Sequence, residues 1–381
     1  MRILIAAGGT GGHIYPALAV VTQLQTRRPD LELRWLGGRR GLESEIVAGT
    51  DIPLERLWLR SLRSVDASIN TILDPLRLAM SVPQALWKLS RRRPDVVYTT
   101  GGYVAIPVLV AAALLRVPSL LWEGNQVPGR SVRVSARLAT LRTVSYPATR
   151  ERLPAPTFVT GTPIRDLGSR DKAAARARLG LTEELPMILG FGGSQAVRRL
   201  SDAVRDALPD VVERCYVVHI TGEAAIGEAE ALRATLPPAR RDRYRPVAFL
   251  HEDMDAALTA ADLLVGRAGS STLAEAAAAG LPMIVVPYPH AAAHQKANAS
   301  ELVAAGAAVL VDDEDLDGDT LRRAAELLFD EGLEVMATAA RGVGRPGAAA
   351  ASARLLEALA TRAPLPSDVE LEALSRTGGG A

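Results

Sequence analysis

The sequence contains a single cysteine, Cys215, and few aromatic residues. One thiol cannot form a disulfide within the chain, so no disulfide framework supports the fold, and a reducing compartment is expected. Aromatic residues make up 4% of the 381 residues, whereas a hydrophobic fraction of 48% is ample for large aliphatic cores. A chain of this length is expected to form two domains of ordinary size.

The chain also lacks net charge and long apolar runs. With 44 Lys and Arg against 43 Asp and Glu, its net charge is +1, so the chain as a whole has no nucleic-acid signature. The most apolar window, residues 104–121, is broken by Pro107, Arg116 and Pro118 and falls short of the ~20 unbroken residues of a transmembrane helix. The apolar run after Arg2 is too short for a signal peptide. We therefore expect a protein that is soluble or lies on a membrane surface.

Glycine, by contrast, is abundant and clusters directly after apolar runs. The apolar run 2–7 leads into GGTGGH at 8–13, and a segment of helical periodicity follows. The glycines form either a phosphate-binding turn, in which backbone N–H groups approach a ligand closely, or an ordinary tight turn. The turn is not a dinucleotide fingerprint, because no glycine lies three residues after Gly11. It is not a Walker loop either, because no lysine follows the glycines.

Short apolar runs alternate with helical segments along most of the chain, which predicts an α/β fold with two Rossmann-like, doubly wound parallel sheets. The predicted strands are residues 2–7, 31–36, 95–99, 119–123, 143–145, 158–161, 187–191, 216–221, 247–250, 263–266, 283–286 and 308–311. GGSQ follows the run 187–191 just as GGTGGH follows the first run. The two halves are therefore expected to be related and to face each other across a central cleft.

The borders of these halves follow from the same pattern. We predict an N-terminal domain over residues 1–162 and a C-terminal domain over residues 163–346. A helix over 347–361 is expected to pack back on the N-terminal domain. The tail 362–381, which ends in SRTGGGA, is expected to be disordered.

Other loops are expected at the carboxyl edges of the sheets, where open α/β sheets bind ligands. TGGY at 100–103 opens an apolar helix, and EGNQVPG at 123–129 follows the next strand. In the second half, RAGSS at 267–271 precedes an Ala-rich helix whose N-terminus favours an anion. The loop after the strand 283–286 carries the polar residues His290, His294, Gln295 and Asn298.

Residues 56–93 interleave basic side chains with Trp and Leu. This pattern on amphipathic helices is typical of a segment that docks on an anionic membrane surface, and it is equally typical of surface helices with solvated arginines. The basic residues are Arg56, Arg60, Arg63, Arg77, Lys88, Arg91, Arg92 and Arg93.

The sequence offers no clear set of metal ligands. Asp313, Asp315 and Asp317 match the first half of an EF-hand loop, but its twelfth position is Ala324, where a bidentate glutamate is required. We therefore expect a solvated acidic loop and no metal cofactor.

Together these motifs resemble the MurG family, the bacterial GlcNAc transferases of peptidoglycan synthesis, which have the GT-B fold. The resemblance covers nearly the whole chain, as far as Ala360. The matching stretches are GGTGGHIYP at 8–16, TGGYVAIP at 100–107, GTPIR at 161–165, GGSQ at 192–195, EDM at 252–254, RAGSSTLAEAAAAGLP at 267–282 and HQKANA at 294–299.

The resemblance implies an inverting transferase on the cytoplasmic face of the plasma membrane. It would move GlcNAc from UDP-GlcNAc to the 4-hydroxyl of MurNAc in undecaprenyl-pyrophosphoryl-MurNAc-pentapeptide, and it would require no cofactor. The implied UDP-GlcNAc residues are Thr10, Gly11, Gly12, Asn125, Arg165, Ser194, His251, Ser270, Ser271, Thr272, Glu275 and Gln295. The implied residues for the acceptor and its pyrophosphate are Gly9, Gly101, Gly102 and Tyr103.

His13 is the expected general base. A helix N-terminus disfavours imidazolium, so a neutral ring is expected to take the proton of the acceptor hydroxyl. The alternative is a histidine that orients the glycine loop or binds the acceptor phosphate. The growing charge of the UDP leaving group must be met by fixed dipoles and a cation, for which Ser194 and Arg165 are candidates.

Three of the implied donor residues have an alternative reading. Arg165 is either the cation beside UDP or a surface ion-pair residue. Glu275 accepts the ribose hydroxyls or, three residues after Thr272, belongs to a capping box. Gln295 either forms hydrogen bonds with the GlcNAc hydroxyls or lies in a solvated loop.

The chain departs from the family at two places. Where the family usually reads HEQN, this chain reads WEGN at 122–125, and AV at 196–197 replaces the usual GA. These departures bear on the acceptor contacts and the phosphate loop. The alternative functions are another GT-B enzyme that moves a sugar from UDP to a lipid acceptor, a UDP-GlcNAc 2-epimerase-like enzyme, and a non-catalytic nucleotide-sugar binding protein. An epimerase needs acid/base carboxylates around the sugar, and no such cluster lies near Gln295 in the sequence.

Overall fold

Two compact units make up the chain. A computed structural model describes residues 1–39, 41–59, 69–168, 171–192, 198–250, 253–289 and 292–377. One unit comprises Met1–Arg165 and Arg345–Ala381, and the other comprises Asp166–Gly344. Each unit is built on one parallel sheet with helices on both faces, so the predicted fold class is confirmed.

The first unit contains a seven-stranded sheet in the order β3-β2-β1-β4-β5-β6-β7. Its strands are β1 (Arg2–Ala6), β2 (Glu32–Gly37), β3 (Leu54–Arg56), β4 (Val96–Thr99), β5 (Ser119–Glu123), β6 (Leu141–Val144) and β7 (Thr157–Val159). The strand order reverses between β1 and β4, the place where ligand-binding loops collect in such sheets. Alternate residues of β1 enter two different cores, since Ile3 and Ile5 join one apolar cluster and Leu4 joins the other.

Among the described residues, six α-helices connect these strands. They are α1 (Gly11–Arg27), α2 (Glu43–Ile46), α3 (Ile69–Arg91), α4 (Gly102–Leu114), α5 (Arg130–Ser135) and α6 (Pro147–Arg150). No helix among the described residues is both long enough and apolar enough to cross a membrane.

The second unit contains a six-stranded parallel sheet in the order β10-β9-β8-β11-β12-β13. Its strands are β8 (Met187–Phe191), β9 (Tyr216–Ile220), β10 (Tyr244–Val247), β11 (Leu263–Gly266), β12 (Met283–Val285) and β13 (Ala308–Leu310). Its helices are α7 (Lys172–Arg178), α8 (Arg198–Val211), α9 (Ile226–Thr235), α10 (Met254–Ala260), α11 (Ser270–Ala279), α12 (Ala292–Ala304), α13 (Gly318–Leu327) and α14 (Gly332–Val343). β8 and β11 lie at the centre, so their loops share one sheet edge.

The chain returns to the first unit through α15 (Ala348–Thr361), which packs on α1, and α16 (Asp368–Arg376). Ser367 and Glu370 form a capping box at the start of α16, and Leu371, 1% exposed, joins the core of the first unit. The prediction of a disordered tail over 362–381 is therefore wrong for residues 368–376. A cap and one buried leucine order a stretch whose composition is otherwise polar.

Two strands differ from the sequence prediction. β3 was not predicted, because it is a three-residue edge strand that ends at Arg56, where the basic stretch 56–93 begins. β10 begins at Tyr244 and ends at Val247, where the predicted strand began. Its central Pro246 lies on an edge strand, where a missing N–H is tolerated, and this makes the strand hard to recognise.

Replacing Leu371 by Ala should destabilise the first unit by about 2–4 kcal/mol, because a buried leucine leaves a cavity in a well-packed core. Val369→Ala is the matched control on the same helix, because Val369 is 78% exposed. It should change stability by less than about 0.5 kcal/mol. Urea unfolding measures both, and equal midpoints for the two variants would show that α16 is not docked on this core.

Candidate active site

The first glycine loop places His13 in the first turn of α1, opposite the loop after β4. The Nδ1–H of His13 donates to the carbonyl oxygen of Thr100 at 2.7 Å, and the Thr100 hydroxyl donates to the His13 carbonyl at 2.8 Å. Because a carbonyl only accepts, Nδ1 carries the ring proton. In the neutral form of the ring, Nε2 is therefore the nitrogen without a proton.

The second glycine loop covers this ring. Gly101 and Gly102 have φ angles of 84° and 73°, which favour glycine, and α4 begins at Gly102. A Cβ atom at Gly102 would lie 3.7 Å from Nε2 of His13. The structure thus brings together the two glycine loops that the sequence assigned to one sheet edge, and α1 and α4 begin at these loops.

Gly9 holds the first loop in place. Its φ of 100° favours glycine, and its N–H donates to the Glu43 carboxylate at 2.9 Å. The hydroxyl of Tyr103 donates to the same carboxylate at 3.2 Å. Burial and the Glu43 charge raise the pKa of the Tyr103 hydroxyl, so it stays protonated at neutral pH. Any contact of Gly9 with a pyrophosphate therefore does not use this N–H.

A third loop follows β5 and is organised by the buried Glu123. One carboxylate oxygen of Glu123 accepts the backbone N–H and the side-chain amide of Asn125, at 2.8 and 3.0 Å. The other accepts the Gly129 N–H at 2.9 Å. The amide group of Asn125 is thus oriented before any ligand arrives.

The departure at Trp122 and Gly124 has a steric explanation. The Trp122 ring is buried, and its Nε1–H donates to the Gly161 carbonyl at 3.2 Å. A Cβ atom at Gly124 would lie 2.4 Å from Cη2 of Trp122, a distance that real Cβ contacts do not show. Trp122 therefore requires glycine at 124, and the two departures are one coupled change.

Arg165 lies beside the start of α1. Its guanidinium carbon is 5.4 Å from the centre of the exposed Tyr15 ring, within cation–π range. A Cβ atom at Gly11 would lie 3.1 Å from that ring, so Gly11 leaves the space that Tyr15 occupies. Thr10 is the N-cap residue of α1 and makes no capping hydrogen bond through its side chain. Gly12 follows Gly11 in the first turn.

In the second unit, α11 begins directly after β11. Gly269 is the N-cap residue, and Ser270, Ser271 and Thr272 form the first turn, whose N–H groups have no partners within the helix. The alternative of a capping box from Thr272 to Glu275 is wrong, because Thr272 lies inside the helix. Glu275, 7% exposed, lies in the second turn.

Two further contacts shape the loops beside α11. The buried Arg267 forms an ion pair with Asp313, and its guanidinium carbon is 5.5 Å from the centre of the Tyr288 ring. The amide oxygen of Gln295 accepts the Tyr288 N–H at 2.7 Å, which fixes the orientation of the Gln295 amide group. Asp313 is thus an ion-pair partner, whereas Asp315 and Asp317 are exposed, as predicted for a solvated acidic loop. Over the described ranges, no group of three or more His, Cys, Asp or Glu side chains is placed to hold a metal.

Some predicted site residues cannot be compared. Ser194 and His251 lie outside the described residues, as do Gln195 and His290. Conversely, the sequence interpretation did not assign Glu43, Glu123 or Tyr15. The signal for the two acids is a glutamate close to glycines, at the end of β5 for Glu123 and in the loop region after β2 for Glu43, where a carboxylate can accept loop N–H groups.

The chain matches known proteins over most of its length. The family model described as glycosyltransferase family 28 N-terminal domain matches residues 3–142, and the C-terminal domain model of that family matches residues 187–354. A protein of Moorella thermoacetica is 38% identical over 91% of this chain and 96% of its own. One of Desulforudis audaxviator is 37% identical over 94% of this chain and 99% of its own. Both are named UDP-N-acetylglucosamine–N-acetylmuramyl-(pentapeptide) pyrophosphoryl-undecaprenol N-acetylglucosamine transferase.

A solved structure agrees with these relatives. The crystal structure of MurG from Acinetobacter baumannii superposes with a TM-score of 0.74 at 29% identity. The superposition covers 93% of this chain and 99% of that one. The likeness therefore extends over both units.

The pair Trp122 and Gly124 can be tested by a double-mutant cycle. Gly124→Gln alone should cost about 1–3 kcal/mol, because the new side chain displaces the indole. In the Trp122→His background it should cost at least about 1 kcal/mol less, since the smaller ring leaves room. Urea unfolding gives all four free energies. Gly49→Gln is the control, because a Cβ there meets nothing within 4 Å. Additive costs would contradict the coupling.

Proposed function

We propose, for a chain that belongs to glycosyltransferase family 28, the transfer of GlcNAc from UDP-GlcNAc to the 4-hydroxyl of MurNAc in undecaprenyl-pyrophosphoryl-MurNAc-pentapeptide. The protein is an N-acetylglucosaminyltransferase of peptidoglycan synthesis with the GT-B fold. The observation in the site that best supports the chemistry is the hydrogen bond from Nδ1 of His13 to Thr100, which leaves Nε2 free of the ring proton.

His13 acts as the general base. Nε2 takes the proton of the acceptor hydroxyl while the hydroxyl oxygen forms a bond to C1 of GlcNAc. The bond from C1 to the UDP oxygen breaks on the opposite face, so the configuration at C1 inverts. Thr100 stabilises the imidazolium that forms, because its carbonyl accepts the Nδ1–H in both protonation states. The proton leaves Nε2 for solvent after release of the product.

The leaving UDP gains negative charge as the bond breaks. The N–H groups of Ser270, Ser271 and Thr272 at the start of α11 are suited to its phosphates, because a helix N-terminus stabilises an anion. Arg165 adds a cation and Ser194 a further donor. In this proposal fixed dipoles and a cation stabilise the charge on the leaving UDP, and the reaction requires no cofactor.

The remaining donor contacts divide between the nucleoside and the sugar. Glu275 accepts the ribose hydroxyls, and its position in the second turn of α11 is consistent with this because it is not used as a cap. The backbone at His251 contacts uracil. The free amide nitrogen of Gln295 donates to a GlcNAc hydroxyl. Asn125 faces the sugar in the orientation that Glu123 imposes.

The glycine loops of the first unit face the substrates around His13. Thr10, Gly11 and Gly12 approach the donor sugar closely because two of the three have no side chain. The pyrophosphate of the acceptor lies against Gly9, Gly101, Gly102 and Tyr103. The Gly102 N–H lies at the N-terminus of α4 and is directed towards an anion.

A lipid acceptor requires a membrane surface, and α3 offers an apolar stripe for it. Leu76, Met80, Pro83 and Trp87 are exposed and recur at intervals of four, three and four residues, so they share one face of the helix. The opposite face, with Ala85 and Leu89, packs in the core with α4.

Cations border this stripe. The Arg91 guanidinium lies 5.7 Å from the centre of the Trp87 ring, and Arg92 and Arg93 follow on the surface. Lys88 is less available, because it pairs with Glu55 at 2.7 Å. We place the stripe on the anionic cytoplasmic face of the plasma membrane, with the arginines among the lipid headgroups. Arg60 and Arg63 lie outside the described residues.

The reaction is tested by measuring UDP release from UDP-GlcNAc with and without a short-chain analogue of the muramyl lipid acceptor. Release should depend on the acceptor. His13→Asn should lower turnover by about 100-fold or more, because its amide can still donate to Thr100 but cannot accept the proton. Calorimetry should show donor binding unchanged.

Two results would redirect this proposal. Normal turnover in His13→Asn would show that His13 orients the loop and that another group is the base. Donor binding without acceptor-dependent release in the wild type would point to a different acceptor or to a binding protein.

The membrane contact is tested by sedimentation with vesicles of phosphatidylglycerol and phosphatidylcholine. Replacing Met80 and Trp87 together by Ser should weaken binding at least about tenfold, because each buried apolar side chain contributes about 1.5–3 kcal/mol when fully transferred. Val335→Ser, at an exposed valine of the second unit, is the control. Binding of wild type should also fall with added salt. Equal binding of both variants would exclude α3 as the docking surface.

A further inference from the structure

We propose that the buried carboxylate of Glu43 is a positioning residue for glycosyl transfer and acts on His13 through the two glycine loops. The proposal rests on the transferase function proposed above and adds a residue outside its substrate contacts. Glu43 lies in the short helix α2, fully buried, and touches neither the His13 ring nor a proposed substrate position.

The carboxylate joins three separate segments of the chain. One of its oxygens accepts the N–H of Gly9 in the loop after β1 at 2.9 Å. The other accepts the N–H of Gly38, just beyond β2, at 2.9 Å, and the hydroxyl of Tyr103 in α4 at 3.2 Å. A fourth link runs in the reverse direction, since the Leu42 N–H donates to the Gly9 carbonyl at 3.3 Å.

The surrounding chain is shaped around this carboxylate. A Cβ atom added to Gly8, Gly37 or Gly41 would lie 2.9, 2.9 or 2.1 Å from an atom of the Glu43 side chain. Distances of this size force a displacement. Three glycines, one after β1 and two in the stretch between β2 and α2, thus leave the space that the Glu43 side chain fills.

The consequence for His13 follows from where these bonds attach. Gly9 precedes Thr10, the N-cap residue of the helix that carries His13, so the Glu43 bond fixes the entry of the chain into α1. Tyr103 follows Gly102, which lies over Nε2 of His13. Glu43 therefore holds the loop beneath the imidazole and the loop above it at a fixed separation.

The geometry requires a carboxylate at this position. Three donors meet two oxygens, and a carboxylate only accepts. A glutamine has one accepting oxygen, and its NH₂ group would face a donor N–H or O–H. Glu43→Gln, which is nearly isosteric, therefore leaves at least one of the three donors unsatisfied and loosens one loop from the other.

The experiment measures steady-state kinetics of Glu43→Gln with the exposed Glu45→Gln on the same helix as matched control. We expect kcat per folded enzyme to fall about 10- to 100-fold in Glu43→Gln, since small misplacements of a catalytic group have effects of this size. The KM for UDP-GlcNAc should fall or rise by a smaller factor than kcat, because the proposed contacts to uracil, to the ribose and to the phosphates at the start of α11 lie in the other unit and are not altered by the substitution. Glu45→Gln should match wild type.

A second variant keeps the test valid if Glu43→Gln folds poorly. Gly41→Ala pushes a methyl group against the carboxylate without removing it and should also lower kcat at unchanged KM. Gly49→Ala, at a glycine with open space around it, is its control. Kinetics of Gly41→Ala equal to those of Gly49→Ala would overturn the proposal, as would a loss of stability in Glu43→Gln with unchanged kcat per folded enzyme.

An activity-independent measurement separates this inference from the proposed function. Hydrogen exchange of peptides that contain Gly9 and Gly38 should be faster in Glu43→Gln than in Glu45→Gln. Unchanged exchange would overturn the role of Glu43 even in an active transferase. A wild type that releases no UDP with acceptor would instead overturn the transferase function. Faster exchange in Glu43→Gln would then still show that Glu43 holds the loops at Gly9 and Gly38.

Discussion

The paired hydrogen bonds between His13 and Thr100 are the interaction on which the proposed chemistry depends. They join the turns after β1 and β4, the two strands at which the order of the first sheet reverses. The bond from Nδ1 selects the tautomer, and the bond from the Thr100 hydroxyl holds the first turn of α1. Without them the ring would be free to rotate and to present its protonated nitrogen to a substrate. The fold thus selects one tautomer of the imidazole through backbone geometry.

The two units prepare their loops by different electrostatic means. In the first unit, Glu43 and Glu123 accept loop N–H groups, so these loops are ordered by internal anions before a substrate binds. In the second unit, Asp313 pairs with the charge of Arg267, and the N–H groups of the first turn of α11 lie at a helix N-terminus, which favours an anion. Dipoles that are already oriented need no reorganisation during the reaction, which is the main source of electrostatic catalysis.

The periodicity of apolar residues and the position of the glycines were sufficient to predict the fold class and most strands, because buried parallel strands are short apolar runs that end in turns. They also placed His13, Gly101 and Gly102 at one edge. The sequence could not reveal that Glu43 serves a loop 34 residues earlier, because that contact depends on the packing of three segments. Likewise α16 was not predicted, because one buried leucine and one capping box determine its docking. The spacing of Thr272 and Glu275 suggested a capping box, but α11 begins at Ser270, directly after the loop that follows β11, and so Thr272 lies inside the helix.

The contact between Trp122 and residue 124 also limits the order in which the pair of side chains at 122 and 124 can be exchanged. A glycine at 124 beside histidine at 122 removes atoms and creates no clash. A tryptophan at 122 beside glutamine at 124 brings two side chains into one volume, since even a Cβ would lie 2.4 Å from the indole. The accessible route therefore passes through glycine first. Once the indole is in place and bonded to Gly161, any side chain at 124 must displace it, so the same substitution at 124 has a different cost before and after the exchange at 122.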